Sequence, residues 1–406
     1  MTTAVLPAKK SRRSIREEAQ AIPAEAVEQA PQGGPPYGKA VEAFRKIEEA
    51  KREFAKSFVE RDAELNLLLV GMIAKENVLL VGPPGTAKSM LCEAIHKLVG
   101  GESFGALMNK FTAPEELFGP PDLKKLEQGD YVRRVDGYLP TAATAFLDEI
   151  FKAGPGILNV LLKILNERTF KNGRQVVACP LEFALAASNE FPSGDNAGEL
   201  AALFDRFLIR KVVKPVHTTQ GRDRLMFGDL TAGPVETLTP EELAAARDEA
   251  ASLTFSPEAK DALVKMLREL SQAGIHPGDR RCRKAVGVVK AWAWLEAKTQ
   301  VEPEQLEILQ HVLWDEPSEQ MKKAGEIVLK TCNPGGAEVA EKILAAEAIV
   351  AKTKMDDCGA LVQAARELQA VIKDCQKIKG DKATEAVRRI QGELAKIQKA
   401  AVEATN

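Results

Sequence analysis

The residues Gly82, Pro83, Pro84, Gly85, Thr86, Ala87, Lys88, Ser89 and Met90 follow the apolar run "NVLLV" and lead into "LCEAI", a stretch of helical character. Apart from Ala87 their order is that of a phosphate-binding loop, G-x-x-x-x-G-K-[ST]. Such a loop works through its backbone: wrapped onto a helix N-terminus, it aims several N–H groups and the helix dipole at a phosphate. Gly82 and Gly85 allow the tight turn, Lys88 can reach the β- and γ-phosphates, and Ser89 supplies a hydroxyl for Mg²⁺. Ala87 puts a methyl where the pattern has its second glycine, and a right-handed backbone there would carry it at little cost.

Further along, "TAFLDEI" sets Asp148 and Glu149 side by side at the end of an apolar run. Adjacent carboxylates at that place divide the work: the first holds Mg²⁺ through its water shell, the second polarises a water for attack on the γ-phosphate. "EFALAASNEFP" ends in Ser188 and Asn189, and the Asn189 amide could orient the same water or be a turn residue. "LFDRFLIRKVV" carries Arg206 beside Asp205. That guanidinium can pair locally or reach a neighbouring subunit's γ-phosphate, and both readings stay open.

These groups need a scaffold. Between about 58 and 215 short apolar runs, "NVLLVG", "FGALMNKF", "TAFLDEI", "EFALAAS" and "FLIRKVV", alternate with helical stretches, the pattern of a parallel sheet covered by helices. Val41, Phe44, Ile47, Phe54 and Phe58 recur at roughly helical spacing and give an amphipathic lead-in helix. After Thr218 the runs cease, and "TLTPEELAAARDEA" opens a helix with Thr239 as N-cap, Pro240 at N1 and Glu242 at N3. The expected organisation is α/β: a disordered arm over 1–36, a nucleotide-binding core over 37–218, an all-helical lid over 219–315 and a helical extension over 316–406. The last part, after "NPGG", reads as a helical hairpin or packing arm. Trp292, Trp294 and Trp314 read as lid core.

Composition limits the partners. Lys and Arg total 56 against 58 acidic residues, a net charge of −2, so no global field draws nucleic acid or anionic membrane. The six cysteines lie far apart without C-x-x-C spacing and read as reduced thiols. The basic start lacks a following apolar segment, and no run of ~20 apolar residues occurs. A soluble cytoplasmic protein with no membrane contact is expected.

The order "GPPGTAKS", "FLDEI", "AASNE", "LFDRFLIR", "GDRRCRKA" resembles the AAA+ superfamily. It is similar to the MoxR group, whose phosphate loops commonly carry alanine, and most similar to its RavA-like subgroup from about 58 to 315. The resemblance implies ATP and Mg²⁺ as cofactors, with Gly82 to Ser89 as Walker A and Met90 beside it. Asp148 and Glu149 would be Walker B, Asn189 sensor 1 and Arg206 the arginine finger. Sensor 2 would be Arg280, with Arg281 an equally basic neighbour. It also implies a homo-oligomer, a hexameric ring with ATP at subunit interfaces. Such a ring remodels a protein client, often beside a partner with a von Willebrand factor A domain.

Two segments, "QGDYVRRVDGYLP" around Asp136-Gly137 and "RTFKNGRQVVA" around Asn172-Gly173, read as hairpins inserted into that core. They either pack on it or face a pore, where Tyr131 or Tyr138 could grip a client. Two other functions compete: a nucleic-acid motor, against which the near-neutral charge argues, and an ATP-gated scaffold, against which Glu149 argues.

Overall fold

Val78–Val81 form β1, and all four residues are buried, as a strand covered on both faces requires. In the computed structural model, which describes residues 38–192, 197–317, 319–332, 334–353, 358–377 and 381–403, β1 lies inside a five-stranded parallel sheet. Its other strands are β2 (Ser103–Leu107), β3 (Thr144–Asp148), β6 (Phe183–Ser188) and β7 (Ile209–Val212), in the order β2-β3-β6-β1-β7. These are the five runs expected from the sequence. The arm over 1–36 lies outside the described residues.

Parallel strands cannot be joined by tight turns, so helices fill the crossovers. They are α3 (Lys88–Val99), the short α4 (Pro114–Phe118) and α5 (Leu123–Glu127), α6 (Pro155–Glu167) and α7 (Ala197–Asp205); α1 (Lys39–Ser57) and α2 (Asp62–Ala74) precede β1, and α8 (Thr219–Phe227) follows β7. The lead-in helix α1 buries Ala43, Ile47, Ala50 and Phe54, spaced as one helical face.

One insertion is a hairpin and the other is not. β4 (Thr169–Asn172) and β5 (Gln175–Ala178) pair antiparallel around Gly173, which has φ +62°. The stretch 128–138 forms no hairpin. Instead its 132–134 main chain bridges antiparallel to 120–122, with Arg133 opposite Pro121, and lies beside the β4–β5 turn, where the Arg133 N–H donates to Asn172 Oδ1 at 2.7 Å and Asn172 Nδ2 donates to the Arg133 carbonyl at 3.0 Å. Gly173 permits this approach, because a Cβ there would sit 2.8 Å from the Tyr131 carbonyl.

The described chain divides into two compact units. The first holds the residues up to Ser256 with His276–Val301 and His311–Gln320; the second holds Pro257–Ile275, Glu302–Gln310 and the residues from Met321. The 219–315 span is therefore shared between units. In the first, α9 (Pro240–Ser252) starts with the expected Thr239–Glu242 capping box and packs with α11 (Asp279–Leu295) against α1 and α2. Trp294 meets Phe44 edge-on at 5.4 Å, and Trp294 and Trp314 are buried.

The second unit contains α10 (Pro257–Gln272), α12 (Glu319–Cys332), α13 (Pro334–Lys352), α14 (Cys358–Cys375) and α15 (Asp381–Glu403). The last three are more than a hairpin or arm. They form a bundle with its own core of Leu361, Leu368, Ile372, Ile390 and Ile397.

Candidate active site

β1 delivers the chain to the phosphate loop. Gly82 donates its N–H to the Ser188 carbonyl at 3.0 Å, and β7 runs so close that a Cβ at Gly82 would sit 2.3 Å from the Val213 carbonyl. Gly85 has φ +79°. The Thr86 hydroxyl closes the loop by donating to the Pro83 carbonyl at 2.9 Å.

A right-handed backbone at Ala87 is not what the structure has. Ala87 is left-handed, φ 65° and ψ 20°, because the reversal from loop to α3 falls on the residue before the helix. An alanine there costs about 1 kcal/mol that glycine would not. Ala87 is also the N-cap of α3 and offers no side-chain acceptor, so the first-turn amides of this 12-residue helix are free of a capping side chain. That is the donor set an anionic phosphate requires.

Five predicted side chains converge there. Lys88 is buried and curls back, with Nζ donating to the carbonyls of Gly82 at 2.7 Å and Pro83 at 3.0 Å and to Asn189 Oδ1 at 3.3 Å. Burial lowers its ammonium below the ordinary lysine value, opposed by the Asp148 and Glu149 carboxylates. Ser89 Oγ donates to Asp148 Oδ2 at 3.4 Å, which sets a hydroxyl and a carboxylate side by side, oxygens that suit Mg²⁺.

Asp148 ends β3, and its Oδ1 accepts the N–H of Glu149 at 2.9 Å. Glu149 takes a left-handed conformation, φ 52°, that turns its carboxylate to the loop side. The Asn189 amide donates to Glu149 Oε1, and Lys152 Nζ stands 3.3 Å from Oε2. Oε2 is buried and accepts no hydrogen bond among the described residues, with the Lys152 ammonium as its charged neighbour.

Arg206 and Arg280 are brought to each other, not to Lys88. Both line a cavity of about 610 Å³ that includes Glu76 and Asn77, the residues before β1, at the far end of the strand from the loop. Arg280 is exposed and donates to Asn166 Oδ1; Arg206 Nη1 pairs with Asp205 Oδ2 at 3.1 Å. Arg281 points inward instead, 4% exposed, to Asp205 Oδ1 at 2.6 Å, Asp315 Oδ1 at 3.1 Å and the Val312 carbonyl at 3.1 Å.

Sequence reasoning missed other members of this cavity. Asn77 braces it, donating to the Leu165 and Arg206 carbonyls at 3.2 Å and accepting from Arg168 Nη2 at 3.1 Å. Lys284 pairs with Glu76 at 2.6 Å, yet burial raises the Glu76 carboxyl above its ordinary value, opposed by Lys284, Arg168 and Arg280. Arg210, stacked 3.9 Å over Phe204, is pushed down to about 9 by burial and by Arg281. The available signal was the pair Glu76-Asn77, two polar residues directly before a wholly apolar strand.

Residues 45–249 match the family model described as the MoxR domain in the MoxR-vWA-beta-propeller ternary systems, and residues 259–328 match an AAA lid domain. The chain belongs to the MoxR family of AAA+ ATPases. The match carries the MoxR description, not the finer RavA-like one. An uncharacterized protein of Methanocaldococcus jannaschii is 39% identical over 282 residues, covering 69% of this chain and 74% of its own. Protein MoxR of Methylorubrum extorquens is 24% identical over 68% of this chain and 89% of its own. Chaperone MoxR1 of Mycobacterium tuberculosis is 29% identical over 45% and 47%. The crystal structure of a candidate ATPase from Cytophaga hutchinsonii covers 68% of this MoxR chain and 88% of its own, with a TM-score of 0.55 and 17% identity, a likeness of fold. No described helix of this MoxR protein is long and apolar enough to cross a membrane.

Proposed function

We propose that this MoxR-family chain binds ATP with Mg²⁺ and hydrolyses it at a site completed by a second copy of itself. The observation that carries the reading is the separation of the chemistry: Lys88, Ser89, Asp148, Glu149 and Asn189 gather at one end of β1, and Arg206 and Arg280 at the other. A chain with both halves apart makes a whole site when copies stack head to tail, and that arrangement closes as a ring. A hexamer is the ring proposed.

The residues have distinct tasks. The α3 amides and Lys88 hold the phosphates, and Ser89 and Asp148 hold Mg²⁺, which would neutralise charge on the β- and γ-phosphates. Glu149 accepts the proton of the attacking water, and Asn189 fixes that carboxylate by its amide. Arg206 and Arg280 meet the γ-phosphate of the neighbouring copy. The work done is remodelling of a protein client; the chaperone name of the Mycobacterium tuberculosis relative and the von Willebrand factor A systems in the family description support it.

Subunit mixing tests this. Glu149→Gln and Arg206→Ala should each be inactive alone. Mixed, they regain turnover at interfaces that join the intact loop of one to the intact Arg206 of the other. A mixture no more active than its parts would contradict a shared site.

A further inference from the structure

We propose that Arg61 is a positioning residue of the nucleotide site, holding the Thr86–Ala87 peptide so that Ala87 keeps its left-handed conformation. The inference rests on the nucleotide-binding reading above and names a support for it. Arg61 directly precedes α2, outside the phosphate loop, and is 6% exposed. Its Nε donates to the Thr86 carbonyl at 3.1 Å and its Nη1 to the Glu60 carbonyl at 2.7 Å. Among the described residues it forms no ion pair, so a buried guanidinium is kept here with main-chain carbonyls as its partners. Burying a charge without a counter-charge is unfavourable, and a role for those carbonyls accounts for its presence.

The geometry says what the role is. The Thr86 carbonyl belongs to the peptide whose rotation defines φ of Ala87, and that φ is 65°. In a trans peptide the C=O and the N–H point in opposite directions. A carbonyl fixed towards Arg61 therefore fixes the Ala87 N–H away from it, at the start of α3, where a phosphate would accept it. Glycine would adopt this conformation unaided, whereas alanine is pushed out of it by its own Cβ.

Arg61 is in turn anchored. Glu60 beside it is also left-handed, φ 55°, and its carboxylate accepts the N–H of His217 at 3.0 Å, the N–H of Thr218 at 3.1 Å and the Thr218 hydroxyl. Thr218 is the N-cap of α8. A continuous set of contacts thus runs from the start of α8 through Glu60 and Arg61 to the loop.

The test is a double-mutant cycle read by calorimetric titration with Mg-ADP, on wild type, Arg61→Ala, Ala87→Gly and the double variant, with Lys88→Ala as the weakened-site reference. Arg61→Ala is expected to weaken ADP about tenfold with Ala87 present and about twofold or less with glycine there. In turnover, KM for ATP should rise in Arg61→Ala while kcat at saturation changes little. Arg61→Lys keeps the buried cation without the planar fork and serves in the same cycle if Arg61→Ala does not melt cooperatively; the same shrinkage is expected. Equal weakening in both backgrounds, or none in either, overturns the proposal while leaving the nucleotide site intact. Wild type binding no better than Lys88→Ala overturns the site itself and this inference with it.

Discussion

The Arg281 guanidinium holds the Asp205 carboxylate at 2.6 Å, and the other oxygen of that carboxylate pairs with Arg206 at 3.1 Å. Arg281 is thereby committed to the protein, tying α11 to the end of α7, while its neighbour Arg280 stays exposed in the cavity. Of the two arginines in "GDRR", Arg280 is the one left exposed, and under the proposed function it is the one that would meet a neighbouring copy's nucleotide.

This separates two substitutions. Arg281→Ala strips a half-exposed carboxylate pair of its buried partner and should lower unfolding free energy by about 2 kcal/mol. Arg280→Ala should change it by less than about 0.5 kcal/mol and lower turnover instead. Denaturant titration of both variants, with turnover assayed on the same samples, checks the contrast.

Glu149→Gln keeps the shape of the side chain and the contact with Asn189 but removes the proton acceptor. Turnover should fall at least about 100-fold with ATP still bound. Unchanged turnover would show that Glu149 is not the base.

Lys88→Ala removes a buried ammonium with two carbonyl partners in the loop and a third oxygen partner on Asn189. Nucleotide affinity should fall by about 10- to 100-fold, as for loss of charge-assisted hydrogen bonds. Calorimetry that finds wild-type affinity would remove Lys88 from the phosphate site.

His311 gives a pH dependence. Burial, with the Lys211 charge beside it, pushes its imidazole down to about 3. The unfolded chain takes up that proton near pH 6.5, the folded chain only near 3. Stability is thus full above pH 6.5 and is lost as pH falls towards 3, by at most about 1.4 kcal/mol per unit. His311→Gln should flatten the stability profile between pH 6.5 and 5, measured by urea unfolding at several pH values. An unchanged slope would place the acid sensitivity elsewhere.

The sheet was legible because each strand is a short apolar run with a turn signal behind it, and β1, β3 and β6 each lead into a stretch of chemical residues. Lys88, Asp148, Glu149 and Asn189 could be gathered for the same reason: they lie at or just past the C-terminal ends of three neighbouring parallel strands, β1, β3 and β6. The backbone at Ala87 was not legible. Its conformation depends on where the loop reverses and on Arg61, a contact between side chain and main chain that no periodicity records. The helices of the 219–315 span were legible from their caps, but local helix signals say where α10 and α11 start and not which neighbours bury them. The stretch 128–138 alternates like a strand, and its main chain is met by that of 120–122 and by the Asn172 side chain, partners that alternation alone cannot specify.

The most direct measurement is ATP turnover per subunit against protein concentration, with mass by light scattering at each point, for wild type and Glu149→Gln. The account predicts turnover that rises as rings assemble and is absent from the variant at every concentration. Turnover per subunit that is already full in the monomer would contradict it, because Arg206 and Arg280 would then not be acting on a neighbour's phosphate.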